Sequence, residues 1–121
     1  MILSLTTRRC EPGVTVIAVS GRLALGRESG QIEAAVQKAL DEGVRRIVID
    51  LSEVTYIDST GIGIVTYSFN KISQRHAACV VAGAHGLVAE VFHITHLDTV
   101  IPFYPDLDTA CAAFTAAGAT A

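Results

Sequence analysis

Arg46-Ile47-Val48-Ile49-Asp50-Leu51 runs through a short connector into Asp58-Ser59-Thr60-Gly61, after which Ile62, Val65, Phe69 and Ile72 recur at helical spacing. The first segment is a continuous apolar run, the pattern of a strand buried on both faces. The second is an amphipathic helix entered through three consecutive residues of the N-cap type. A buried strand followed by such a helix is the repeating unit of a parallel α/β sheet, so the neighbouring sequence should supply further units of the same kind.

It does so in both directions. Upstream, Leu3, Leu5 and Thr7 alternate with Ser4, Thr6 and Arg8, as in a half-buried strand. Pro12-Gly13 suits the central positions of a type II turn, and Val14 to Val19 reads as a second strand. These two should pair as an antiparallel hairpin with the first strand near an edge. Gly21 to Gly26 reads as a loop. From about Glu28 a helix carries Ile32, Val36 and Leu40, and Gly43 is placed to stop it. Downstream, Ala78 to Ala82 reads as a buried strand, Leu87, Val88, Val91 and Phe92 mark a third helix, and Val100 to Phe103 a last short strand. Pro105-Asp106 opens a final helix with Leu107, Ala110, Cys111 and Phe114, Asp106 being its N-cap. The expected fold is α/β: a mixed sheet, its first hairpin antiparallel and its remaining strands parallel, covered by about four helices. One domain should span 1–121, with an ordered core to about 115 and a frayed tail over 116–121.

Composition agrees and narrows the function. Half of the 121 residues are hydrophobic and Trp is absent, so a core of Val, Ile, Leu and Ala can form without staples. The net charge is −3 and the basic residues are scattered, which argues against a nucleic-acid partner. Cys10, Cys79 and Cys111 are odd in number and far apart, which argues against a disulfide framework and for a reducing compartment. No segment approaches the ~20 apolar residues of a spanning helix, and the apolar start is cut short by Arg8-Arg9. A soluble cytoplasmic protein without membrane insertion is expected.

Several chemistries fail on the letters. Gly21-Arg22-Leu23-Ala24-Leu25-Gly26 has P-loop glycine spacing, but Arg27-Glu28 replaces the lysine and the hydroxyl that would hold Mg²⁺. Gly61-Ile62-Gly63 begins like a dinucleotide loop, yet position 66 is Thr. Asp50 sits where a phosphoaspartate would, without the further carboxylates after the first strand that would bind Mg²⁺. His93 and His96, or His76 and Cys79, are too few for zinc and are better explained as surface or core residues. No cofactor or metal is expected.

Asp58-Ser59-Thr60-Gly61 remains. Asp, Ser and Thr ordinarily cap the free N–H groups of a first helical turn, and that role alone would account for them. Three such residues exceed what one helix start requires. Gly61 and Gly63 are poor helix formers that leave the start bare and approachable, and a helix N-terminus accommodates negative charge. A phosphate on Ser59 could be carried there without unfolding the domain. A catalytic Ser59 would need a base, for which His85 at the end of the following strand is the candidate.

These segments resemble the STAS domain (sulphate transporter and anti-sigma antagonist), and above all the free-standing anti-sigma factor antagonists of bacteria. The resemblance covers nearly the whole chain. It is most specific over Ile47 to Gly63, where an apolar strand leads to Asp-Ser-(Ser/Thr/Ala)-Gly-(Leu/Ile)-Gly, and it recurs in Val19-Ser20-Gly21-Arg22-Leu23. It implies a switch. The serine after the Asp, here Ser59, is phosphorylated by an anti-sigma factor that is also a serine kinase. The unphosphorylated antagonist binds that kinase and frees the sigma factor, and a serine phosphatase resets the phosphorylated form. The partner-binding surface so implied comprises Gly21, Arg22, Leu23, Ala24, Asp58, Ser59, Thr60, Gly61 and Gly63, on a monomer or weak homodimer. The chain departs from the pattern at Ala24, where the family usually carries Asp or Glu. Two other readings stand beside this one: a STAS binding or scaffold module that is not phosphorylated, in a stress-signalling complex or associated with a transporter, and a small hydrolase using Ser59 and His85.

Overall fold

Five strands form one mixed sheet in the order β1-β2-β3-β4-β5, and four α-helices cover it. The computed structural model describes residues 4–11, 13–24 and 30–116. β1 (Ser4–Glu11) pairs antiparallel with β2 (Val14–Leu23), from Ser4↔Ser20 to Glu11↔Val14. Pro12 of the expected turn lies outside the described residues; Gly13 has φ +80°, the left-handed backbone that the third position of a type II turn requires. α1 (Gln31–Asp41), β3 (Arg46–Ile57), α2 (Ser59–Gln74), β4 (Ala78–Ala82), α3 (Gly86–Ile94), β5 (Phe103–Tyr104) and α4 (Leu107–Ala116) follow. The β2–β3, β3–β4 and β4–β5 pairings are all parallel. The expected architecture is therefore present, antiparallel opening hairpin included.

Alternation along the strands divides the core. Ile17, Val19, Ile47, Ile49, Leu51, Cys79 and Val81 point to the face covered by α1, α2 and α3, where Ile32, Val36, Leu40, Val65, Ile72 and Phe92 meet them. Val14, Val16, Val48, Val80 and Ala82 point to the other face and pack under α4 through Ala110, Cys111 and Phe114. α1 ends as its sequence predicts. Gly43 (φ +88°) donates to Leu40 O at 3.0 Å and Val44 N to Ala39 O at 3.0 Å, the paired bonds of a Schellman motif. Asp106 caps α4 through Thr109 N at 2.7 Å, and hydrogen bonding from the Thr109 side chain, with that amide bond second, holds its carboxyl below the usual range.

Three boundaries differ from the sequence reading. Gly21 to Leu23, read as loop, belongs to β2, and residues 52–57, read as connector, continue β3. The reason lies in the register: Ala18↔Asp50 is followed by Ser20↔Glu53, and Gly21↔Val54 by Arg22↔Tyr56, so β3 carries an extra residue at each of two bulges. Its buried positions then fall at Leu51, Val54 and Ile57, a spacing of three that hides a strand from period-two reading. The last strand is shorter and later than Val100 to Phe103, because residues 97–99 form a turn of 3₁₀ helix. The cysteines also divide otherwise than their spacing suggested. Cys79 is buried and free, whereas Cys111 is disulfide-bonded, since distance along the chain sets no limit once α4 returns across the sheet. Of the tail expected over 116–121, Ala116 is the last residue of α4 and the rest lies outside the described residues, as does the helix start near Glu28.

Candidate functional site

The extended end of β3 delivers Asp58 to the first turn of α2. Asp58 is the N-cap, with β-region backbone (φ −121°, ψ −171°) and its Oδ1 accepting from Gly61 N at 3.0 Å. Its own carbonyl accepts from Ile62 N at 3.0 Å, and its amide donates to Leu23 O at 3.3 Å. One aspartate thus completes the cap and ties the helix start to the end of β2.

Ser59, at the first helical position, is exposed, and its hydroxyl makes no hydrogen bond among the described residues. Thr60 beside it is half-buried. With Asp58 acting as the cap, neither hydroxyl is needed for that task. The amides of Ser59 and Thr60 likewise have no acceptor among the described residues, as expected for the first turn of a helix.

The two glycines of the motif have opposite surroundings. Gly61 is buried: a Cβ there would lie 2.1 Å from Leu23 O and 2.7 Å from Ile57 Cγ1. Gly63 is exposed, with nothing within 4 Å of a Cβ. Only Gly63 leaves the helix surface bare in the sense read from the sequence; Gly61 is small because β2 packs against it.

The Gly21–Ala24 segment meets this helix start through the Leu23 carbonyl. Gly21 is buried with φ +97°, and its carbonyl accepts from Thr55 Oγ1 at 3.3 Å. Leu23 is fully buried, Ala24 half-buried, and Arg22 exposed, its guanidinium carbon 4.0 Å from the centre of the Tyr56 ring. Tyr56 and the Leu23 carbonyl are the parts of the site that the sequence did not reveal. The Arg22–Tyr56 stack depends on the bulged register, which leaves no one-dimensional signal.

His85 does not complete a catalytic pair. Its Nε2 lies 2.9 Å from Ser52 O, and it makes no hydrogen bond with Ser59. Asp50, the residue compared with a phosphoaspartate, accepts from Ser52 N at 3.0 Å and from the Ser52 hydroxyl. His93 is paired with Asp98 at 2.9 Å.

The sequence profile described as STAS domain matches residues 7–110. The chain belongs to the STAS domain family. It is similar to the anti-sigma-B factor antagonist of Listeria monocytogenes, with 35% identity over 82 residues covering 60% of this chain and 71% of that protein. Among solved structures it resembles an anti-sigma factor antagonist from Mycobacterium paratuberculosis, at a TM-score of 0.79 and 26% identity over 93% of each chain. The fold also matches SpoIIAA, a Bacillus cell fate determinant solved in its phosphorylated form, at a TM-score of 0.65 and 18% identity over 83% of this chain and 90% of that one. The likeness to the anti-sigma factor antagonists is thus borne out in sequence and in fold. These relatives are regulatory proteins by name, and no helix among the described residues of this STAS domain is long and apolar enough to cross a membrane.

Proposed function

We propose that this STAS domain protein is an anti-sigma factor antagonist, switched off when an anti-sigma factor with serine kinase activity phosphorylates Ser59 and reset by a serine phosphatase. The observation that carries the reading is the division of labour at the helix start: Asp58 caps, and the adjacent Ser59 hydroxyl is exposed and without a hydrogen-bond partner among the described residues. A phosphate there meets the positive end of the α2 dipole and the amides of Ser59 and Thr60, so the fold can carry it. It also brings about −1.5 to −2 charges to a surface that Gly63 leaves flat, and a close interface would have to desolvate and repel that charge. The relatives named as antagonists, and a protein of the same fold solved phosphorylated, support the assignment.

Binding of the unphosphorylated protein would use Ser59, Thr60 and Gly63 on α2 and Arg22 and Ala24 on the neighbouring strand end, with Gly21, Leu23, Asp58 and Gly61 holding that surface from within. The protein acts in the cytoplasm as a monomer or weak homodimer in this reading. The test of the switch is binding to an anti-sigma factor kinase of the same organism. Ser59→Ala should bind it constitutively and Ser59→Asp should bind it weakly; equal binding by both would overturn the switch. Ala24, where the pattern of the resemblance would place a carboxylate, favours a second reading as an unphosphorylated binding or scaffold module. That reading gains if incubation with the kinase and ATP adds no phosphate to the protein.

A further inference from the structure

At the opposite end of β3 from Ser59, about 35 Å away along a strand of this length, the turn after α1 passes over the first residues of β2 and β3. A cavity of about 360 Å³ opens there, with Arg9, Arg45 and Arg46 around Thr15, Gly43 and Glu42. A second hollow of about 240 Å³ shares Arg9, Thr15 and Glu42 with it and continues over Ala35, Ala39 and Lys38. Together they have the volume of a small-ligand site, basic at one end and more apolar at the other.

Two features set this place apart from a solvated basic surface. The first is charge: the Arg9 and Arg45 guanidinium groups and the Lys38 ammonium line it with one carboxylate, Glu42, in a chain whose net charge is −3. The second is Thr15. It is only 7% exposed, lines both hollows, and its hydroxyl has no hydrogen-bond partner among the described residues. The hydroxyl itself is open to the hollow, Ser68 Oγ being the one buried unpaired side-chain oxygen among the described residues, so it faces whatever the cavity receives. The carbonyls at the end of α1, which would otherwise repel an anion, are already engaged: Lys38 O and Leu40 O accept from Glu42 N and Gly43 N, and Ala39 O from Val44 N. Gly43, with open space where a Cβ would stand, keeps the rim clear.

We propose that this double hollow binds a small phosphorylated molecule. Its phosphoryl group lies between Arg9, Arg45 and the Thr15 hydroxyl, and a compact apolar body lies against Ala35 and Ala39. Guanidinium groups bind phosphate oxygens by paired charge-assisted hydrogen bonds, and a threonine hydroxyl adds a neutral one. Glu42 opposes the ligand and so sets its affinity from the other side. The inference is independent of Ser59 and stands or falls whether or not that residue is phosphorylated.

The test is a titration of the isotope-labelled full chain with phenyl phosphate, inorganic phosphate and phenol, followed by amide NMR. Phenyl phosphate should give saturable shifts at Thr15, Gly43, Val44 and Arg45, and should bind more tightly than either of the other two probes. Arg9→Gln with Arg45→Gln should weaken it about tenfold or more, the loss of one or two charge-assisted bonds, with the spectrum of the variant showing that it is folded. Glu42→Gln should instead strengthen binding several-fold. Absence of saturable shifts, binding of phenol as tight as that of phenyl phosphate, or affinities indifferent to Glu42→Gln would each overturn the proposal.

Discussion

The carbonyl oxygen of Leu23 occupies the space that a side chain at Gly61 would need, since a Cβ there would stand 2.1 Å from it. The same oxygen accepts the Asp58 amide at 3.3 Å. The end of β2 and the start of α2 are therefore locked on one atom, and Ser59 lies between the two points of attachment.

Gly61→Ala should accordingly destabilise the fold by about 2–4 kcal/mol, because backbone on one side and Ile57 on the other must move. Gly63→Ala, two residues on and in open space, should stabilise it by about 0.5–1 kcal/mol by restricting the unfolded chain and favouring helix. Urea unfolding of the two variants separates them. If Gly63→Ala also weakens kinase binding while raising stability, the bare helix surface is part of the interface.

Asp58→Ala should remove about 1 kcal/mol through loss of the cap on Gly61 N, whereas Asp58→Asn, which keeps an accepting oxygen, should cost much less. Equal losses would mean that the charge of Asp58, and not its capping bond, holds the helix start.

α2 ends in a Schellman motif whose left-handed position is filled by His76 (φ +59°), with His76 N on Ser73 O at 3.0 Å and Ala77 N on Ile72 O at 3.1 Å. α1 uses Gly43 in the same place. His76 is exposed, so His76→Gly should relieve backbone strain without losing a buried contact and raise stability by about 0.5–1 kcal/mol. Thermal unfolding would show this as a higher midpoint.

Burial pushes the Cys79 thiol up to about 12 from 9.0. Above pH 9 the unfolded chain loses this proton while the folded chain keeps it. Stability should therefore fall as pH rises from 9 towards 12, with a contribution of up to about 1.4 kcal/mol per pH unit from this group. Cys79→Ala should be less stable at neutral pH yet show a shallower alkaline decline. Parallel declines in the two proteins would remove Cys79 as a cause.

The order of elements and the direction of every strand could be read from periodicity because apolar runs and helical spacing are local signals. Asp58 and Ser59 could be read because capping chemistry is local too. The ends of β2 and β3 could not. Bulges shift the inward positions to Leu51, Val54 and Ile57, and a spacing of three matches neither a strand nor a connector in one dimension. The same holds for the glycines. Gly61 and Gly63 are alike as letters, and only the passage of Leu23 over one of them gives the two different work. The Arg22–Tyr56 stack and the cavity beside Thr15 join residues more than thirty positions apart, so they become visible only with the fold.

The two extra residues of β3 make the stretch from Asp50 to Ile57 a fixed measure of length. Deleting one would advance everything after it by a single position, turning Ile57 from the core towards solvent and carrying Asp58 away from the Leu23 carbonyl. An individual side chain between the bulges, the exposed Glu53, can change freely by comparison. Insertions and deletions should therefore be tolerated in the turns around this strand and rejected within it, even though much of its second half faces water.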